Sequence, residues 1–335
     1  MHVGRSYRIP EFLAWTREDI YVLIALGLVP VFLFESLGLK WLAIPWTAVA
    51  LLGTATAFIV GFKNVQTYSR TWEARQIWGD IVGSSRAWGT MSRDFVNSPD
   101  KARTLVYRHL AWLTALRYHM RERRTWETVS KPYNAEYQKL YCVPEQQSAL
   151  EVELAKYLPG DELQRVLSTG NRATQIAALQ SKTIKELYDR QEIVVLQFVD
   201  MQRAVRDLHL HQARSERIKE FPFPRQFATV SSLFVKLFCL LLPFGLLKEF
   251  DQLNESVEGL MKGHMTWLVV PVSVLVSWMY TSLEQVGEST ENPFEGGAND
   301  VPISQMCRAV EIDLREILGE ADLPVALRPR NNIVL

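Results

Sequence analysis

Hydrophobic residues are concentrated in four stretches of the chain, and strongly polar segments separate them. Residues 20–39 contain one acidic residue, and residues 41–62 contain no charge. Further along, residues 227–247 contain one lysine, and residues 265–283 are uncharged. A helix needs about 20 apolar residues to cross the roughly 30 Å hydrocarbon core of a bilayer. Core helices of soluble proteins usually keep a polar face, which these stretches lack, so the pattern predicts four membrane-spanning helices.

The spacing of these stretches divides the chain into four parts. Residues 1–62 hold an N-terminal segment and a first hairpin of two spans, and residues 227–283 hold a second hairpin. Residues 63–226 form a long polar region between them, and residues 284–335 form a C-terminal segment. Cytoplasmic segments carry the excess of Lys and Arg, and these residues are scarce in the two short connections between spans. We therefore predict that both termini and the middle region lie in the cytoplasm.

The middle region has the pattern of helices. Ile77, Ile81 and Trp88 recur at a spacing that places them on one side of a helix. A second pattern runs from about Ala173 to Lys219 without Pro or Gly, which predicts one long helix. Strand patterns are nearly absent, so the predicted fold is all-α: four spanning helices with a helical cytoplasmic bundle.

Composition excludes several classes of function. Lys and Arg together number 37, as do Asp and Glu, so net charge gives no reason to expect a nucleic-acid partner. The three cysteines are far apart and imply no disulfide framework. The sequence lacks the phosphate-binding, zinc-protease and nucleophile-elbow motifs, so we expect neither an enzyme nor a cofactor. It also lacks the inverted repeats and interrupted helices of secondary transporters.

The second span carries the pattern with the clearest functional meaning. Thr54, Phe58 and Phe62 recur every fourth residue and therefore share one face of the helix. Small residues lie at the same spacing on the next face and would let copies of the helix approach closely. These small residues are Gly53, Ala57 and Gly61. Packing of several copies would point the phenyl rings at a common axis and form an apolar constriction that gates by excluding water. The alternative is that the aromatic face contacts lipid or another helix of the same chain.

Three sets of charged residues are candidates for a role in conduction. Lys63 and Arg70 follow the second span and would raise the anion concentration at a cytoplasmic mouth, or would simply be its basic flank. Lys236 lies inside the third span, where it would either pair with Glu73 or Glu284 or extend its ammonium to the interface. An acidic cluster after the fourth span would offer oxygen ligands to Ca²⁺, or would consist of solvated charges and helix-cap contacts. Its candidate ligands are Glu288, Glu291 and Asp300.

Three motifs together resemble the bacterial branch of the bestrophins. The first comprises residues 58–64 (FIVGFKN) and 72–75 (WEAR), and the second comprises residues 291–294 (ENPF) and 299–302 (NDVP). The third is residues 242–244 (LPF) in the third span. The similarity extends over nearly the whole chain.

The resemblance implies a symmetric homopentamer around one central pore in the bacterial inner membrane. It places three rings of a hydrophobic neck at Thr54, Phe58 and Phe62, and a second constriction near Leu196. It also implies that the stretch matching the Ca²⁺ site of eukaryotic members is residues 288–300. Thr54 departs from the larger apolar residue that is usual in the family.

The function expected from this resemblance is the passive flow of monovalent ions across the lipid bilayer, with chloride or other anions favoured. Eukaryotic members pass chloride, whereas some bacterial members prefer small cations. A cation-selective channel on the same scaffold and a non-conducting membrane scaffold or regulator are the alternatives.

Overall fold

The computed structural model describes residues 1–259 and 261–335, with the side chains of residues 135 and 136 excluded. Within this part of the chain the regular structure is helical, and β-pairing is limited to isolated bridges such as that between His2 and Ile333. The α-helices are α1 (Ile9–Ser36), α2 (Trp46–Phe95), α3 (Pro99–Arg121), α4 (Pro132–Gln138), α5 (Leu150–Leu154), α6 (Gly160–Leu167), α7 (Arg172–Asp189), α8 (Val195–Glu220), α9 (Arg225–Gln252), α10 (Val269–Glu291) and α11 (Ile303–Ile317). Short 3₁₀ helices occupy Lys40–Leu42, Pro144–Gln146, Leu253–Glu255 and Met265–Leu268.

The prediction of four apolar helices is confirmed. Among the described residues, four helices are long and apolar enough to cross a membrane, and they match the four predicted stretches, although the first helix ends at Ser36 rather than at residue 39. The first of them begins at Ile9, eleven residues before the predicted start of its span. The second hairpin brings α9 and α10 together, and α10 also packs against α1 and α2.

Helix α2 is 50 residues long and continues well past the apolar stretch that predicted it. Its sequence contains no proline, and it ends at Phe95, shortly before Pro99 begins α3. Hydropathy changes at Lys63, but the backbone remains helical because the polar half of α2 packs against α3, α8 and α11. The predicted boundary between residues 62 and 63 therefore lies inside one continuous helix.

A second hydrophobic core forms around the polar half of α2. Ile77, Ile81 and Trp88 are buried in it, in agreement with their helical spacing. Helices α3, α7, α8 and α11 contribute the other sides of this core.

The prediction of one long helix over Ala173–Lys219 is wrong. The chain turns between α7 and α8, where Gln191 adopts a left-handed conformation with a φ of 59°. The reversal lets α7 pack against both α3 and α8. Burial on these neighbours outweighs the small cost of the left-handed conformation at a residue other than glycine.

Candidate functional site

The aromatic face of α2 is not covered by any other described part of the chain. The side chain of Phe58 is 76% exposed and that of Phe62 is 62% exposed. Thr54 is exposed on the same face, and its hydroxyl donates a hydrogen bond of 2.9 Å to the carbonyl of Ala50. These three residues therefore share one surface, and the alternative in which another helix of the same chain covers the rings is wrong.

The small residues on the neighbouring face of α2 differ in their surroundings: one packs against helices of its own chain, and two are exposed. Gly53 is buried against the ring of Phe238, and its carbonyl accepts a hydrogen bond of 3.1 Å from Tyr280. Gly53 therefore packs α2 against α9 and α10 of its own chain. Ala57 and Gly61 are exposed, and a methyl group at Gly61 would meet no atom within 4 Å. Only these last two are available for close packing against another molecule.

A buried ion pair lies directly below Phe62. The ammonium of Lys63 is 2.6 Å from a carboxylate oxygen of Glu284, and the hydroxyl of Ser231 donates to the other oxygen at 2.7 Å. Lys63 is only 3% exposed. The three residues come from α2, α10 and α9, so this polar contact joins three of the four apolar helices. The charge of Lys63 is thereby matched inside the chain and does not face an open surface.

Lys236 forms neither of the predicted pairs. Glu284 binds Lys63, and Glu73 accepts from the guanidinium of Arg217. Lys236 is exposed and makes no ion pair among the described residues. The sequence correctly predicted that Lys236 lies in the third apolar helix. The two carboxylates proposed as its partners are instead paired with Lys63 and Arg217, which the tertiary packing brings closer.

Arg70 anchors α2 to the end of α8. Its guanidinium donates hydrogen bonds to the carbonyls of Ile218 and Phe221. The last carbonyls of a helix have no partner within the helix, and a cation there also complements the helix dipole. The two basic residues predicted for a mouth, Lys63 and Arg70, thus both have structural partners in the chain.

Below the phenyl rings the exposed surface of α2 includes polar side chains beside apolar ones. Gln66, Ser69 and Glu73 line an open hollow of about 830 Å³ together with apolar residues that include Phe58, Phe62 and Phe223. The polar side chains of this face therefore begin within one to two helical turns of Phe62.

Leu196 lies in the first turn of α8 and is 73% exposed. Val194 and Val195 beside it are also exposed, so three consecutive apolar side chains project from the start of this helix. The structure leaves them without cover from the described part of the chain.

The three candidate Ca²⁺ ligands are not brought together. Glu288 accepts from Lys131 at 2.6 Å, and Glu291 binds Arg225. Asp300 binds Arg121 at 2.6 Å and also accepts from three backbone N–H groups of the turn that follows α10. Among the described residues, no group of three or more His, Cys, Asp or Glu side chains could hold a metal ion.

Comparison with known proteins agrees with this architecture. Residues 17–316 match the family model described as Bacterial/Fungal Bestrophin protein. The voltage-dependent anion channel-forming protein YneE of Escherichia coli K12 is 26% identical over 296 residues, covering 88% of this chain and 83% of that protein. The voltage-dependent anion channel-forming protein mll4386 of Mesorhizobium japonicum is 24% identical, covering 82% and 76%.

A crystal structure of a bacterial bestrophin homologue from Klebsiella pneumoniae has the same fold. It superposes with a TM-score of 0.75 at 22% sequence identity, covering 91% of this chain and 99% of that one.

Proposed function

Since the chain belongs to the bacterial and fungal bestrophin family, we propose that it is a subunit of a homopentameric channel that passes monovalent anions down their gradient. The relatives of similar length are named anion channel-forming proteins, which supports anion conduction over a purely structural role. We place the channel in the bacterial inner membrane, with both termini and the polar helices in the cytoplasm, because basic residues are concentrated in those segments.

The observation that carries the proposal is the uncovered aromatic face of α2. Phe58 and Phe62 project from a spanning helix whose adjacent exposed positions, Ala57 and Gly61, are small. Five copies of α2 brought together by rotation would close through the small positions and turn the rings toward the axis. Such a ring of phenyl groups forms a narrow neck that controls conduction by excluding water.

Anion preference follows from the chemistry of this neck. The edge of an aromatic ring carries partial positive charge, and its face carries partial negative charge. Rings that present their edges to the axis favour an anion over a cation. Lys63 contributes little to this preference, because Glu284 matches its charge.

We propose a second constriction at the far cytoplasmic end of the pore. Leu196 and its neighbours Val194 and Val195 are exposed at the start of α8. In a fivefold assembly these apolar side chains would surround the axis, and the hollow lined by Phe62, Gln66 and Glu73 would form part of the vestibule between the two constrictions.

The experiment that tests the proposal compares single-channel currents of reconstituted wild-type protein with those of a T54A/F58A/F62A variant. Removing the side chains widens and wets the neck, so we expect the unitary conductance to rise severalfold. The matched control is Leu275→Ala, which removes an exposed apolar side chain from α10 and should leave the conductance unchanged.

Reversal potentials under an NaCl gradient measure selectivity in the same bilayers. A shift toward the chloride equilibrium potential supports an anion channel, and a shift toward that of sodium identifies the cation-selective alternative. An unchanged current in the triple variant would show that this face of α2 does not line the pore. A correctly folded wild-type protein that gives no current would instead support the role of a scaffold or regulator.

A further inference from the structure

An aromatic cavity lies among residues that do not belong to the exposed face of α2. It is enclosed by the start of α1, by α4 and by the turn that follows α10, and its volume is about 110 Å³. A water molecule needs roughly 10–15 Å³ by the same measure, so the cavity has room for a small organic molecule. Its lining includes five aromatic residues and two acidic residues, Glu11 and Glu295. The aromatic residues are Tyr7, Phe12, Trp15, Tyr137 and Tyr141.

These side chains offer ring surface rather than hydroxyl groups to a ligand. The hydroxyl of Tyr7 donates to Asn299 at 2.8 Å, and that of Tyr141 donates to the carbonyl of Gly296 at 3.0 Å. The ring centroids of Tyr7 and Tyr137 are 6.4 Å apart, so two rings form one continuous wall. Aromatic surfaces of this kind attract cations through the negative potential of the ring face.

Glu295 is a buried carboxyl without a matching cation. It is only 5% exposed, and it accepts hydrogen bonds of 2.9 and 3.0 Å from the backbone N–H and hydroxyl of Thr128. No described Lys, Arg or His side chain forms an ion pair with it. Its acidic neighbours differ, because Asp300 is paired with Arg121 and Glu127 with Lys219.

The pKa of Glu295 is raised to about 8, mainly by burial and also by the charges of Asp300 and Glu127, against the opposing effect of the hydrogen bonds from Thr128. A buried carboxylate is costly to ionise unless a cation is brought to it. A ligand that carries one positive charge on an apolar body would satisfy both the carboxylate and the rings.

We propose that this cavity binds a small alkylated ammonium ion, with Glu295 as its counter-ion and the rings of Trp15 and Tyr137 against its alkyl groups. A hydrated divalent cation fits less well, because it prefers six or more oxygen ligands and the wall here is mostly ring surface. The site differs from the predicted Ca²⁺ ligands, whose carboxylates already bind Lys131, Arg225 and Arg121.

The test is calorimetric titration of the purified full-length protein with choline, in a maltoside detergent that carries no ammonium group. The same titration with 3,3-dimethylbutan-1-ol supplies the same shape without the charge. We expect saturable binding of choline and affinity for the neutral analogue at least about tenfold weaker, because the charge contributes most of the attraction.

Two variants locate the site. Glu295→Gln keeps the shape of the side chain and removes its charge, and Trp15→Leu removes one ring. Each should weaken choline binding by about tenfold or more. Trp41→Leu removes an exposed tryptophan far from the cavity in sequence and should leave binding unchanged. If Glu295→Gln does not fold, as judged by thermal unfolding and gel filtration, Trp15→Leu still decides the matter.

Absence of saturable binding at millimolar choline, or equal affinity for the neutral analogue, would overturn the proposal. So would heat of binding from CaCl₂ alone that Glu295→Gln abolishes, since that result would identify a divalent metal site. These measurements need no ion flux, so they stand or fall independently of the channel function.

Discussion

The pair formed by Lys63 and Glu284 decides where charge lies just below the aromatic rings of α2. Both side chains are almost fully buried, and Ser231 satisfies the second carboxylate oxygen. Removing two charges from water is expensive, and the loss is recovered only when both partners are present. The pair therefore fixes α2, α9 and α10 against one another while leaving neither of its own two charges uncompensated.

Replacing Lys63 with Met should destabilise the protein by roughly 3–5 kcal/mol, because it leaves the carboxylate of Glu284 buried without a cation. Thermal unfolding in detergent measures the effect. The double variant K63M/E284Q should regain most of the loss. Lys182→Met, which removes an exposed partner of Glu186, should change stability by no more than about 0.5 kcal/mol. A Lys63→Met protein as stable as wild type would refute the structural role of the pair.

At the scale of helices, the sequence was sufficient to locate the apolar elements but not their ends. Charge begins again at Lys63, and hydropathy therefore predicted the end of a span there, although α2 continues to Phe95. Helices end where capping residues or proline interrupt them, or where packing is lost, and none of these occurs at residue 63. The turn at Gln191 had no glycine or proline to announce it.

The close contact of α2 with α9 depends on a glycine. An added Cβ at Gly245 would lie 2.7 Å from a methyl carbon of Val49. Gly245→Val should therefore force the helices apart and cost about 1–3 kcal/mol, measured by thermal unfolding. Gly160→Ala is the control, because its new methyl group meets no atom within 4 Å and should alter stability by less than about 0.5 kcal/mol. Equal effects of the two substitutions would contradict this packing.

At the scale of the whole molecule, the functional surfaces differ in how far the sequence could predict them. The spacing of Thr54, Phe58 and Phe62 was enough to place them on one face. The partners of Lys63 and Glu288 come from residues more than 150 positions away, so only the folded chain could reveal them. The aromatic cavity combines side chains from three distant segments, and no local pattern marks it.

The proposed assembly predicts the size of the particle. A single chain leaves Leu51, Phe58, Phe62 and Val65 exposed along α2, and a fivefold arrangement would cover this surface. Light scattering on protein purified in detergent should give a protein mass of about 190 kDa, five times the 38.5 kDa of one chain. The mass of the detergent is subtracted by combined refractive-index and absorbance detection. A mass near that of one or two chains would argue against a pentameric pore.

The continuity of α2 has a mechanical consequence. At 1.5 Å per residue its 50 residues make a rod roughly 75 Å long, more than twice the thickness of the hydrocarbon core. If α2 tilted by about 5°, one end of the helix would move by about 6 Å relative to the other. A displacement of the polar half of α2, for instance through the contact of Arg70 with α8, would therefore also move the phenyl rings. No flexible linker separates the two parts of the helix.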